Sequence, residues 1–300
     1  MTSRRTLLGA GLACLLGTAC APASGPALLT RLMVFQADRL PTGFAERLAR
    51  LATGDLTAMY GLGPRLSGEI AELPAFAREH IAPECRGGDL LVQVSGSDRT
   101  ALSRAATDVN ALLGRRPRWV QDGFRSGRNL LGFHDPIVNP ATEAEFRSEV
   151  WRPDGSTVAV VRRLRLDADR FLALTVEEQE RVVGRRRDDG APLSGGPPRG
   201  LADLHAKTPD GQWLIPADAH VRRAHALASG SGMMLRRGFT YDNGPADRGL
   251  LFVSYQRDPR TFTATQARLD EGDALMAYVT TTASGIFWVP SAVRPAVPPA

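Results

Sequence analysis

Short apolar blocks, each the length of one strand or one helix, punctuate the chain and recur twice in a similar order. Residues 28–35 form a strand-length apolar block, and residues 43–51 place Phe44, Leu48 and Leu51 on one helical face. Residues 56–60 predict a short strand leading into Gly61-Leu62-Gly63-Pro64, and residues 89–94 alternate as a further strand. Leu102, Ala105, Val109 and Leu112 then recur at the 3.6-residue helical spacing. Strand, helix, strand, strand, helix predicts an α+β sandwich with antiparallel sheets covered by helices on one face. The second half repeats the theme: a long strand over 157–166, a helix near 175–183, a strand at 250–255, a helix near 269–279 and a last strand at 285–290. A polar, Gly-rich stretch over 121–129 separates the halves, and a Gly/Pro-rich connection over 190–200 has the length of a functional or mobile loop.

The first 23 residues read as an address. Arg4-Arg5 precede an apolar, small-residue run over 7–16, and Ala21-Pro22-Ala23 supplies a small-x-small cleavage pattern before Ser24. Together they predict a signal peptide, with the arginine pair fitting the twin-arginine route, which carries folded proteins and often their cofactors. The expected location is periplasmic or extracellular. Cys20 is an alternative lipid-bearing cysteine, although Gly17 stands where a lipobox has a large aliphatic residue. Removal of residues 1–23 leaves Cys85 alone, so no internal disulfide is expected. No later run approaches the roughly 18 apolar residues of a membrane span.

Composition narrows the classes. With 300 residues, 43% hydrophobic and 23% charged, the chain is globular rather than disordered. Its length suits one large domain or two of about 100 to 150 residues. The net charge of +5 comes almost wholly from arginines interspersed with acids, Lys207 being the only lysine, and no basic block is interleaved with aromatics. Nucleic-acid binding is therefore not expected. The five histidines, His80, His134, His205, His220 and His225, form no zinc spacing with cysteine. There is no G-x-S-x-G elbow, and the Gly-rich pieces lack a Walker lysine or Rossmann context.

Five phrases remain. They are Asn129-Leu130-Leu131-Gly132-Phe133-His134-Asp135-Pro136-Ile137-Val138-Asn139-Pro140, Gly184-Arg185-Arg186-Arg187-Asp188-Asp189-Gly190-Ala191-Pro192-Leu193 and Ala217-Asp218-Ala219-His220-Val221-Arg222, followed by Met234-Leu235-Arg236-Arg237-Gly238-Phe239-Thr240-Tyr241 and Gly249-Leu250-Leu251-Phe252-Val253-Ser254-Tyr255-Gln256-Arg257-Asp258. In this order, behind a twin-arginine signal, they resemble the dye-decolorising peroxidases, specifically the exported subgroup that includes bacterial deferrochelatase/peroxidases. The likeness is dense over about residues 87–293 and sparse before that.

The resemblance implies two ferredoxin-like domains, an abbreviated one over 24–125 and a second over 126–296 that holds one haem b per chain. It places His220 as the proximal iron ligand, Asp273 as an acidic residue near it, Asp135 as the distal aspartate and Arg236 as the distal arginine. Arg222 is a candidate contact for the haem carboxylates, with Arg237 and residues 185–187 as weaker ones. These residue types suit the chemistry. A histidine whose second nitrogen donates to a carboxylate is a stronger axial donor. An aspartate can move a proton between the peroxide oxygens, and a guanidinium, always protonated, can stabilise the departing one. An aspartate base with an ordinary pKa of about 3.9 implies donor oxidation favoured in acid, unless burial raises that value. Cys85 is read as an inert thiol.

Three departures from the family pattern stand out. Pro136 replaces the glycine after the distal aspartate and restrains Asp135 to extended angles. His225-Ala226-Leu227 replaces the usual N-P-R, and the aromatic, histidine-containing opening is missing. The expected activity is reduction of hydrogen peroxide with oxidation of dyes, phenols or similar one-electron donors. The alternatives are haem binding or delivery with little turnover, and release of iron from haem. The oligomeric state is open, a homo-oligomer included.

Overall fold

The computed structural model describes residues 29–125, 127–134, 138–226 and 230–293; the signal-peptide reading over 1–23 lies outside them. In the first half, β1 (Leu29–Phe35), α1 (Phe44–Ala49), β2 (Thr57–Leu62), the single turn α2 (Pro64–Ser67), β3 (Leu90–Gly96), α3 (Arg99–Leu113) and β4 (Trp119–Phe124) follow in order. The strand order β2-β3-β1-β4 is that of a βαββαβ unit. After a turn, α4 (Glu143–Glu145), the second half runs β5 (Thr157–Leu166), α5 (Ala168–Leu172), α6 (Val176–Val183), α7 (His220–Arg223), β6 (Leu235–Arg236), β7 (Phe239–Asp242), β8 (Arg248–Gln256), α8 (Pro259–Gly272) and β9 (Val279–Val289). Its order β9-β5-β8-β7 repeats the first half's pattern, with β6 added on β8.

The two four-stranded units join edge to edge, β2 to β9 and β4 to β7, and close a barrel. Closure buries the inner face and α8 covers the outer face of β5, which explains why that strand opens with a continuous aliphatic run. Val158, Ala159, Val160 and Val161 are all 0% exposed. Ala159 and Val161 point into the barrel with Leu32, Val34, Leu251, Val253 and Phe287. Val158 and Val160 point outward beneath Phe262 of α8. The outer face of the first half packs on α1 and α3 through Phe44, Leu48, Leu102, Ala105 and Val109.

The seams are short, and each is built on one glycine facing one phenylalanine inside the barrel. Leu62 pairs with Trp288 at one and Phe124 with Thr240 at the other. A Cβ on Gly61 would lie 2.7 Å from the Phe287 Cβ, and one on Gly123 would lie 2.7 Å from the Phe239 Cβ.

Three expectations change. The last helix is α8 at Pro259–Gly272, ten residues before the expected start, because Asp258 caps it by accepting from the Arg260 amide (2.8 Å) and Pro259 occupies its first turn. A tighter 3₁₀ turn (Ala274–Tyr278) follows it, and β9 then begins at Val279. The stretch read as a divider over 121–129 begins instead inside β4, and the short β7 carried no alternation long enough to read.

Substituting Gly123 by Val should lower stability by about 1–3 kcal/mol, the usual cost of overpacking a filled interior. Urea unfolding monitored by tryptophan fluorescence checks this, and an unchanged midpoint would show that the seam is not close-packed.

Candidate functional site

The site is built on the outer face of the second half, beginning with α7, a helix of one turn. So short a helix has no stability of its own, and its position is set by what its side chains grip. His220 and Arg223, three residues apart, share the face toward the end of α8. The His220 Nδ1 lies 2.6 Å from the Asp273 Oδ2, and Arg223 lies 3.6 Å from Glu271. The Asp273 side chain is fully buried; its Oδ1 accepts from the Leu275 amide (2.8 Å), and the Ala274 amide donates to the Asp218 carbonyl (2.9 Å). A carboxylate oxygen at this distance is met by a hydrogen on Nδ1. This tautomer leaves the lone pair on Nε2, the nitrogen suited to bind a metal.

Arg222, two positions on, faces elsewhere. Its guanidinium donates to the Ile215 carbonyl (3.1 and 2.9 Å) and the Pro216 carbonyl (3.2 Å) and lies 4.7 Å from the centre of the Trp213 ring. The structure brings His220 and Asp273 together and directs Arg222 to the turn that precedes them.

Residues 184–190 form a wall beside α7. Gly184, with φ of +91°, ends α6, and a Cβ there would lie 3.2–3.3 Å from Ile215, Ala219 and Val221. Arg185 is buried; its Nη1 donates to the carbonyls of Gly190 (2.9 Å) and Gly200 (2.8 Å), tying the neck of the connection over 190–200. Further along, the wall meets the loop over 128–134. Arg128 donates to the carbonyls of Gly132 (2.8 Å), Asp188 (2.5 Å) and Arg187, and His134 Nε2 lies 3.2 Å from the Asp188 carbonyl. Gly132, with φ of +85°, leaves room for the Arg187 guanidinium, and the Asn129 Oδ1 accepts from the amides of Leu131 (3.0 Å) and Phe133 (3.1 Å). Outside the wall a cleft of about 790 Å³ is lined by Arg128, Glu180, Arg186, Arg187 and Pro192, and touches neither His220 nor Arg236.

Asp135, Pro136 and Ile137 lie outside the described residues. Beyond them the chain is held by Arg236. Its Nη2 donates to the Val138 carbonyl (2.6 Å), while Asn139 grips the Arg236 backbone, accepting from its amide (2.8 Å) and donating to its carbonyl (3.2 Å). Arg236 pairs in register with Ser254 on β8, so both share the outer face with Phe252 and Gln256. Ser254 and Gln256 are 0% exposed, and the Ser254 hydroxyl and Gln256 amide have no hydrogen-bond partner among the described residues.

Positive groups gather here. Burial and the neighbouring charge of Arg236 hold the Arg185 guanidinium below its ordinary value, and burial together with Arg185 does the same to His225. Neither Arg185 nor Arg236 forms a salt bridge among the described residues. An oriented imidazole, orphaned buried polar atoms and arginines without carboxylate partners form a donor set that fits a planar metal cofactor carrying carboxylates. Asn139, Arg128 and the tying role of Arg185 were not singled out from sequence, although all three stand in or beside the quoted phrases. Cys85 stands apart and half-buried, its thiol pushed up by burial, as an inert thiol should be.

Residues 126–294 match the model of the family described as Dyp-type peroxidase, C-terminal. The dye-decolorizing peroxidase of Thermobifida fusca is 34% identical over 271 residues, covering 80% of this chain and 63% of that protein. The deferrochelatase of Escherichia coli K12 is 29% identical over 273 residues, covering 79% and 63%. This chain therefore spans less than two thirds of the length of these relatives. Among solved structures, DtpA from Streptomyces lividans superposes with a TM-score of 0.80 at 31% identity, covering 90% of this chain and 91% of that one. The DyP-type peroxidase from Cellulomonas bogoriensis does so with 0.79 at 28%, covering 93% of each. With the match spanning the half that carries His220, Arg236 and Asp273, the chain belongs to the Dyp-type peroxidase family.

Proposed function

We propose that the protein is a haem peroxidase that reduces hydrogen peroxide at the expense of dyes, phenols or similar one-electron donors, with one haem b held by its second half. The observation that carries this reading is the 2.6 Å contact between His220 Nδ1 and the buried Asp273 carboxylate, which would leave Nε2 as an electron-rich donor able to hold the haem iron. Haem iron, when bound, supplies the electron-transfer chemistry. The chain supplies the rest. Asp273 holds the imidazole in one tautomer, while Arg185 and Arg236 would offer positive surroundings for the haem carboxylates. The Arg236 guanidinium, fixed by Val138, would offer a permanent positive charge to the departing peroxide oxygen. Asp135, one residue beyond the clamped loop over 128–134, would move a proton from one peroxide oxygen to the other. Two protons and two electrons, taken singly from two donor molecules, turn one peroxide into two waters.

Export follows from residues 1–23, with Arg4-Arg5 as the twin-arginine signal, and the two ferredoxin-like units divide near residue 125. Among the described residues no helix is long and apolar enough to cross a membrane. A second reading, haem delivery or release of iron from haem, is favoured by Pro136 and is in keeping with the Escherichia coli relative's name.

Peroxide consumption by the haem-loaded protein, with a phenol as donor, separates the two. Arg236→Leu should keep its Soret band yet consume peroxide about a hundredfold more slowly. Asp135→Asn should slow it by about a hundredfold to ten-thousandfold. A silent Asp135→Asn beside an accelerated Pro136→Gly would remove the aspartate from the mechanism and favour the second reading.

The positive cluster also sets the pH response of the haem-free protein. His225 is held below its ordinary value in the folded state, first by burial and then by Arg185. The unfolded chain therefore takes up this proton below about pH 6.5 while the folded chain resists it, so stability falls as the pH drops through that range. Thermal melts of the wild type and His225→Gln between pH 7 and pH 5 check this. The variant should lose less, and equal losses would contradict it.

A further inference from the structure

We infer that Arg222 is a positioning residue for His220, acting through the Trp213 hairpin rather than by touching the cofactor; this rests on the reading of His220 as the axial ligand. The one-turn helix α7 has two grips on opposite sides. On one, the 2.6 Å contact of His220 with Asp273 and the ion pair of Arg223 with Glu271 fasten it to the end of α8. On the other, Arg222 donates three times to two successive carbonyls, those of Ile215 and Pro216, just before the helix starts. Ile215 and Ala219 are 0% exposed and abut Gly184, so the turn that Arg222 grips is itself fixed to the wall.

The hairpin closes the arrangement. Lys207 and Trp213 pair across it, and the indole carries the Lys207 ammonium 4.2 Å and the Arg222 guanidinium 4.7 Å from its centre. Trp213 remains 41% exposed, an unusual setting for a large ring. Cation–π attraction to the ring helps to hold the guanidinium against the two carbonyls. Without this second grip α7 keeps its fastening to α8 and its packing on Gly184 but loses the bonds that resist rotation about its axis. A hydrogen bond of 2.6 Å tolerates little rotation before its geometry degrades. Arg222 thus sets how strongly Asp273 polarises the imidazole.

The test reads the imidazole directly. In the haem-free protein, long-range ¹H–¹⁵N spectra should report the Nδ1–H tautomer for His220 in the wild type, and a mixture of tautomers in Arg222→Ala, approaching that of Asp273→Asn. In the haem-loaded protein, Arg222→Ala should weaken the ferrous iron–imidazole stretching mode and pass haem to apomyoglobin about 10- to 100-fold faster, the usual scale for residues that orient a metal ligand. Trp213→Leu should fall between wild type and Arg222→Ala. A change in melting temperature alone, with wild-type tautomer signal, stretching mode and haem transfer, would overturn the inference. Should Arg222→Ala not fold, Arg222→Lys carries the same test, since lysine lacks the planar fork, and wild-type values there would overturn it equally. Failure of the wild type to bind haem would sink the ligand reading instead, and the tautomer signal in the haem-free variants would then decide the role of Arg222 by itself.

Discussion

A carboxylate taken wholly out of water must be met by donors, because an unpaired buried charge is too costly to keep. Asp273 is that carboxylate, and its two oxygens are met by the Leu275 amide and the His220 imidazole. The contact joins the end of α8 to a one-turn helix too short to be stable by itself. Its consequences run both ways. It fixes the imidazole's tautomer, and it obliges the segment before α7 to be held by other means, which the wall over 184–190 and the guanidinium of Arg222 supply.

The same wall ties the two sides of the site together. Gly184 meets the residues flanking His220, Arg185 secures the long connection over 190–200, and the carbonyls of Arg187 and Asp188 receive Arg128 from the loop that leads to Asp135. Arg236 then catches the chain again at Val138 and Asn139. Beneath all of this lies a barrel buried on both faces, a rigid platform whose β8 presents Phe252, Ser254 and Gln256 to the site. The functional groups are on short loops and one-turn helices, and the rigidity they need is borrowed from this platform and from arginine-to-carbonyl bonds.

Much of the fold was legible because its signals are local. Strands β1, β3 and β5 and helices α1, α3 and α6 follow from apolar spacing, and the α+β class follows from their order. β4 and β7 were missed because, at the seam they form, a glycine at 123 and a strand of four residues break the alternation. α8 was displaced because Leu269 and Met276, seven residues apart, mimic helical spacing across the break at Gly272 and Asp273, although Asp258-Pro259 was a readable start. In the site, the pairing of His220 with Asp273 was legible only through family phrases, since 53 residues separate them. The turn gripped by Arg222, the clamp of Arg128 and the hold of Asn139 on Arg236 depend on tertiary contacts that no spacing rule encodes.

The account rests on His220 as the group that holds the cofactor, and a cavity left in its place gives the most direct measurement. His220→Gly, mixed with ferric haem, should retain it poorly and give an altered Soret band. Added imidazole, free to enter the cavity and meet Asp273, should restore both. Full haem retention by His220→Gly with a wild-type Soret band and no imidazole would contradict the account.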